Sequence, residues 1–493
     1  MRKEHLLLFL SGVNSLIIQF VMMREFSIAL FCTELIILLI SVSYFLGLVV
    51  GYFISNRIGK SLIIALALFT FLLHLHITFL VRYAVGFLAK ENLGRFAIPL
   101  LFLTGTFFIS SFYSIFLPKF ISEKNPDALP FYYRIEILGS VAGLLLILTL
   151  GQINFLAVFF IYFILLGGII SLLFEKKRLL LPCTLGIFLV IFSFYFHALD
   201  KRSCEYFYSN FYSWFKGKAQ VLFSGYSPYQ KIEVLSDSEA NKSLYLNGLE
   251  YFNPSDLEAF NFFLSELPAR LKQPSSVLIV GSGSMSSVYH ISPFAKEITT
   301  VEIDRKVYEV GRKYFKEYNH LDEIGNWHLV IDDAKHYLKN TGKKFDLVVV
   351  DIPAPYYIQT ALLFTKEFYA MVKDRLNPGG LISIYLCEKF SPKKKKFLSS
   401  RIVAAIDSVF NDFFIVNSHA AGYSFLMATD KFSFSKDKLA DTIKLYRFEE
   451  GFLVFDKKQA RAVVAGTEPA SFSNLDIVLD LNLWALPYDI KSK

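Results

Sequence analysis

The sequence predicts a chain in two unlike parts: a multi-pass α-helical membrane domain, followed by a small β lid and a doubly wound, Rossmann-like α/β domain. Three observations predict it. Long stretches before residue 199 carry almost no charge; the rest alternates charged and apolar residues; and four successive apolar runs in that second part each end in glycine or a carboxylate. At 493 residues and 54% hydrophobic, the chain is too long for one ordinary domain and too apolar to be purely soluble. We expect a transmembrane domain over 1–199, an interfacial linker rich in Tyr, Phe and Trp over 200–218, a β-hairpin lid over 219–270, and the α/β domain over 271–493.

A bilayer core of about 30 Å needs about 20 apolar residues per helix. Seven segments reach that length, near 5–23, 34–54, 61–81, 97–117, 132–150, 153–174 and 179–197. Basic residues at 2–3, 57 and 60, 119 and 124, and 176–178 favour cytoplasmic ends. With seven spans that would export the second part, whereas a domain using a cytosolic nucleotide should stay inside. We expect it inside, on a multi-pass protein of the cell membrane. Polar residues in or beside spans (Gln19, Arg24, Glu25, Glu34, His74, His76, Arg134, Glu136) are costly there, and an Arg24–Glu136 pair would be the plainest use of two of them. Gly139, Ser140 and Gly143 form a small-residue face for close helix packing.

A net charge of +8 is modest at this length, and runs such as residues 393–396 read as solvated faces, so no nucleic-acid partner is expected. The four cysteines lack CxxC spacing and the nine histidines are dispersed, so neither a disulfide framework nor a metal site is indicated.

Residues 225–251 hold two alternating runs, QKIEVL at 230–235 and SLYLN at 243–247, the pattern of a hairpin that would sit as a lid beside a crevice. A strand at 276–280 then enters GSGSM, whose Gly281 and Gly283 let backbone approach a ligand at a tight turn. A second strand, 298–303, carries Glu302, placed to accept the two ribose hydroxyls of an adenosine. The third, 328–331, leads into Asp332, Asp333 and Ala334, where a carboxylate can accept the adenine amine. The fourth, 345–350, ends in Asp351, and NPGG at 377–380 turns into a fifth. Such strand ends in order build the crevice at the carboxyl edge of a parallel sheet.

Together SPYQKI (227–232), LYLNG, VLIVGSGS, TTVEIDRKVYEVGRKYF, LVIDDAKHYL, FDLVVVD and LFTKEFYAMVKDRLNPGG resemble the spermidine synthases, or polyamine aminopropyltransferases, over about residues 220–430. SGVNSLIIQFVMMREF (11–26) and the segment around Glu136 also look like the membrane domain fused to some bacterial members. The resemblance implies a class I methyltransferase-type fold. It implies decarboxylated S-adenosylmethionine as co-substrate, with no metal, and transfer of its aminopropyl group to an amine with release of methylthioadenosine. It further implies that Gln230, Gly281, Gly283, Ser284, Glu302, Asp333 and Ala334 hold the nucleoside donor, while Asp351 takes the proton of the attacking amine. Members are often homo-oligomers.

Three departures set this chain apart. The family's GGGDG reads GSGSM, so Ser284 stands where an acidic residue faces the donor's amine, which weakens discrimination against intact S-adenosylmethionine. The gate loop reads DIPAP, with Ala354 for its second Asp, and the acceptor-side Tyr-His-Glu reads Phe260, Asn261 and Phe262. A more apolar amine than putrescine, delivered through the membrane domain or carried on a membrane lipid, fits those aromatic replacements. Two further readings stay open: a methyltransferase using intact S-adenosylmethionine, and a nucleoside-binding sensor or transporter subunit without turnover.

Overall fold

A computed structural model describes residues 3–30, 34–122, 128–151, 154–174, 180–391, 398–446 and 451–478. Lysines 124 and 393–396, the basic residues 176–178 and the side chain of Glu34 lie outside the described residues. The chain divides into two compact units, Met1–Ala240 with Leu246–Leu249, and Asn241–Tyr245 with Glu250–Ala485.

The first unit is built of helices α1 (Lys3–Leu30), α2 (Glu34–Ile54), α3 (Lys60–Lys90), α4 (Gly94–Ser111), α5 (Phe116–Ser122), α6 (Leu129–Leu146), α7 (Phe155–Leu173) and α8 (Leu180–Phe211). Seven helical stretches among the described residues are long and apolar enough to cross a membrane, the number expected. Helix answers such composition because every backbone group finds its partner within the segment. An antiparallel hairpin, β1 (Gln220–Tyr226) and β2 (Lys231–Ser236), completes this unit, and helix α8 continues past the expected boundary at 199 into the first part of the expected linker, ending at Phe211.

Helices α1 and α6 meet at the small-residue face read from the sequence. A Cβ on Gly139 would stand 2.1 Å from the main-chain oxygen of Phe9, so only glycine permits this approach. The Arg24–Glu136 pair does not form. Arg24 lies over the rings of Phe155 and Tyr226, 4.9 and 5.3 Å from their centroids, and donates to the main-chain oxygen of Ser227. His74 is buried, with Nδ1 against the hydroxyl of Tyr162, which lies 2.5 Å from that of Tyr113.

Glu25 pairs instead with Arg82, in a charge cluster that the sequence does not announce. Arg82 donates to Glu25 Oε2 at 2.9 Å and to Asp200 Oδ1 at 2.5 Å. Lys231 reaches Asp200 at 3.3 Å and Glu233 at 3.2 Å, while Tyr208 and Cys204 donate to Glu233 at 2.6 and 2.9 Å. All five charged side chains are no more than 5% exposed, so each charge depends on its partners.

Strands β3 (Lys242–Leu246) and β4 (Leu249–Phe252) lead into the second unit. It continues α9 (Pro254–Asn261), a π-turn over Phe262–Glu266, α10 (Leu267–Lys272), β5 (Ser276–Gly281), α11 (Ser286–Ile291), β6 (Glu297–Glu302), α12 (Arg305–Tyr314), α13 (Lys316–Asn319), β7 (Trp327–Ile331), α14 (Ala334–Asn340) and β8 (Phe345–Asp351). After these come α15 (Ile358–Ala361), α16 (Lys366–Asp374), β9 (Leu376–Tyr385), α17 (Leu398–Asp407), β10 (Asp412–Ser418), β11 (Ser424–Thr429), α18 (Lys436–Lys444), β12 (Phe452–Asp456) and α19 (Lys457–Val464).

The eight-stranded sheet runs β12-β10-β11-β9-β8-β5-β6-β7. Its five strands from β9 to β7 are parallel, and β10, β11 and β12 are antiparallel additions. The middles of the central strands β5 and β8 are runs of Val, Ile and Leu because both faces are covered, with Leu278, Ile279, Leu347, Val348 and Val349 wholly buried. Strand order reverses between β5 and β8, which opens a crevice at their carboxyl ends.

Candidate functional site

The parallel register brings the predicted strand-end residues to one edge. Gly281 at the end of β5 lies opposite Asp351 at the end of β8, and Glu302 at the end of β6 lies opposite Ile331, which precedes Asp332 and Asp333. The β5–α11 turn is held by the Ser282 N–H donating to the Asp351 main-chain oxygen at 2.8 Å and the Met285 N–H to Ser282 at 2.6 Å. Gly281 has φ +87°, a conformation that favours glycine. The Gly283 N–H faces the Tyr251 hydroxyl at 3.5 Å, and Tyr251 in turn donates to the Asp351 main-chain oxygen at 2.9 Å.

Glu302 is 7% exposed, and its Oε1 accepts from the Asp304 N–H at 2.9 Å. Burial pushes its carboxyl up to about 7, against the pull of that hydrogen bond. Asp351 is 9% exposed. Burial raises its carboxyl too, opposed by the Ser287 hydroxyl at 2.6 Å from Oδ2. Two buried carboxyls thus stand at the strand ends on either side of β5, without a basic partner for either among the contacts described, the arrangement that suits them to proton transfer and to polar ligands.

Asp333 lies on the same edge with a structural duty: its Oδ1 caps α14, accepting from the N–H groups of Lys335 at 2.7 Å and His336 at 3.2 Å. Ala334, buried, opens that helix. Ser284 is 4% exposed, its Oγ 2.9 Å from Ser286 Oγ and its main-chain oxygen bound by Asn319 Nδ2 at 3.1 Å. Gln230 belongs to the helical unit, in the turn before β2, where its N–H donates to Ser227 Oγ at 3.1 Å. Among the described residues no group of three or more His, Cys, Asp or Glu is placed to hold a metal ion.

Of the aromatic replacements, Phe260 packs among Tyr385, Tyr423 and Phe425 with centroids 5.4 to 6.1 Å away. Phe262 stacks on Tyr446 at 4.3 Å and is 4% exposed, so it serves the core. The π-turn starting at Phe262 changes the phase of the helix, and sequence spacing alone assumes a regular one. Two neighbours of Asp351, Tyr251 and Ser287, escaped the sequence reading as such, as did the Asn261 amide that lies 3.1 Å from Ser287 Oγ.

Comparison with known proteins follows this geometry. The family model described as "Spermine/spermidine synthase domain" matches residues 261–420. A polyamine aminopropyltransferase of Oceanobacillus iheyensis is 32% identical over 168 residues, which is 32% of this chain and 32% of that protein. The polyamine aminopropyltransferase of Saccharolobus solfataricus is 29% identical over 179 residues, 35% of this chain and 60% of its own length. The chain thus spans less than two thirds of either relative. The crystal structure of spermidine synthase from Thermotoga maritima aligns at 22% identity over 50% of this chain and 84% of that one, with a TM-score of 0.39. The crevice's glycine turn and two strand-end carboxyls lie inside residues 261–420, the segment of this chain that matches the spermine/spermidine synthase domain.

Proposed function

We propose that this protein is a membrane-bound aminopropyltransferase that moves the aminopropyl group of decarboxylated S-adenosylmethionine to an amine and releases methylthioadenosine. The observation that carries the reading is Asp351, a buried carboxyl in register with Gly281 at the point where strand order reverses. The apolar helices α1 to α8 support the membrane part; in this reading the α/β unit lies on the cytoplasmic side, where a cytosolic nucleotide reaches it.

In this reading the glycine turn and Ser284 receive the donor, Glu302 accepts from its ribose hydroxyls, and Asp333 with Ala334 faces its adenine. An amine of pKa near 10 must lose a proton before it attacks. Its lone pair forms a bond to the carbon beside the sulfonium, the carbon–sulfur bond breaks, and that electron pair returns to sulfur as a neutral thioether. The amine's proton passes to Asp351, whose negative charge offsets the positive charge developing on nitrogen. Phe260 favours an amine on an apolar body, including one delivered from the membrane.

The test is product analysis with detergent-solubilised protein, decarboxylated donor and a panel of amines that includes putrescine and amine-bearing lipids. Methylthioadenosine release with any amine supports the reading. The neutral, hydrogen-bonded Ser284 favours a second one, methyl transfer from intact S-adenosylmethionine, because it sets no charge against that donor's carboxylate. S-adenosylhomocysteine as the product would establish it, and tight donor binding with no product would make the protein a sensor.

A further inference from the structure

Ser287 stands between two acceptors. Its Oγ lies 2.6 Å from Asp351 Oδ2 and 3.1 Å from Asn261 Oδ1, with Ser287 fully buried and Asn261 1% exposed. A serine hydroxyl carries one hydrogen, so it donates to one of them at a time. The far end of the Asn261 amide is occupied: Nδ2 donates to Ser286 Oγ at 3.0 Å, and Ser286 Oγ lies 2.9 Å from Ser284 Oγ. That chain aims Oδ1 at Ser287.

We propose that Ser287 and Asn261 form a hydrogen-bond switch that satisfies Asp351 in both of its protonation states. With Asp351 ionised, the Ser287 hydroxyl donates to Oδ2. Once Asp351 takes a proton, its own O–H donates to Ser287 Oγ, and the Ser287 hydrogen turns to Asn261 Oδ1. One proton is gained by the carboxyl and one hydroxyl rotates, so Asp351 keeps a hydrogen-bond partner in both states, while Asn261 Oδ1 receives the Ser287 hydrogen only when Asp351 is neutral. A backbone N–H could serve only the anion and would oppose protonation, whereas a buried group left unsatisfied in either state is costly.

The titratable groups facing Asp351 are Glu302 at the end of β6, whose buried charge disfavours a second anion, and Tyr251 from β4, whose hydroxyl is engaged with the Asp351 main-chain oxygen. Ser282, on the turn after β5, is the other polar side chain beside it. The proposal rests on Asp351 being the proton acceptor of the transfer, and makes Ser287 and Asn261 its positioning residues.

The test is an infrared titration of the full-length, detergent-solubilised protein, following the carboxylic-acid carbonyl band that Asp351→Asn removes. Ser287→Ala deletes the donor to the anion and should move the midpoint up by about one pH unit or more. Asn261→Leu, close in shape but without an acceptor, penalises the neutral form and should move it down by a similar amount. Ser287→Thr, which keeps a hydroxyl, should restore the wild-type midpoint. Asn261→Ala serves the second arm should the leucine variant not fold. Shifts in one shared direction, or no shift in either variant, overturn the switch. The band is read without turnover, so opposed shifts in a protein that releases no methylthioadenosine keep the switch and sink the transferase reading, while turnover with unshifted midpoints does the reverse.

Discussion

A Cβ placed on Gly281 would lie 2.2 Å from the main-chain oxygen of Asp351. The donor turn and the strand end that carries the proposed base therefore touch through backbone alone. Gly281→Ala adds both a collision and a side chain at positive φ, for a strain of about 1–3 kcal/mol, and pushes the two strand ends apart. We expect donor affinity to fall at least about tenfold, a loss of about 1.4 kcal/mol. Calorimetric titration with the decarboxylated donor measures it; unchanged affinity would mean that the crevice tolerates a wider gap.

Asp351→Asn keeps the shape of the strand end and removes the proton acceptor. Methylthioadenosine release should drop by about 10² to 10⁴ while donor binding stays near that of the unmodified protein. Equal loss of binding and turnover would mark Asp351 as a structural residue.

Glu302 predicts a pH dependence. Its carboxyl is held near 7 by burial, above the ordinary carboxylate range. A raised acid favours the state with the buried neutral carboxyl at low pH, and that stabilisation is lost as pH rises through about 7. Ribose hydroxyls donate to the ionised form, so donor binding should tighten from pH about 6 to about 8 and release a proton in that window. Titrations in buffers of different ionisation enthalpy count that proton. With Glu302→Gln the pH dependence should vanish; its persistence would assign it to another group.

Arg82 neutralises Glu25 and Asp200 together. Arg82→Met leaves two buried carboxylates short of their partner, for a loss of about 3–5 kcal/mol. The yield and thermal stability of the solubilised protein should fall sharply, with Arg82→Lys falling between, since one ammonium lacks the fork that serves both. A methionine variant as stable as the original would show that water reaches the cluster.

The parts of this fold that could be read from the sequence are those whose signal is local. Strands β5, β6 and β8 are short β-branched or aliphatic runs closed by Gly281, Glu302 and Asp351, and the sheet places each residue where its strand ends. The helices announce themselves by length and apolarity. What stayed hidden depends on partners far apart in the chain. Glu25, Arg82, Asp200, Lys231 and Glu233 look separately like span ends or strand surface, and only their packing makes them one cluster. Ser287 resembles any serine in a helix until Asn261 and Asp351 come to either side of it. Phe262 passed for a pocket wall because a π-turn cannot be seen in residue spacing.

The charge cluster also governs where this protein can be cut. Hydropathy invites a break near residue 200, yet Lys231 and Glu233 of β2 share their charges with Asp200, and Asp200 shares its own with Arg82 of α3. A fragment beginning at residue 200 would carry Asp200 and the hairpin without Arg82, leaving two carboxylates to one lysine. A fragment ending at 199 would strand Arg82 and Glu25 in the apolar bundle. The β1–β2 hairpin is thus tied through Asp200 of α8 to Arg82 of α3 and on to Glu25 of α1, and a cut anywhere between them divides one set of charges.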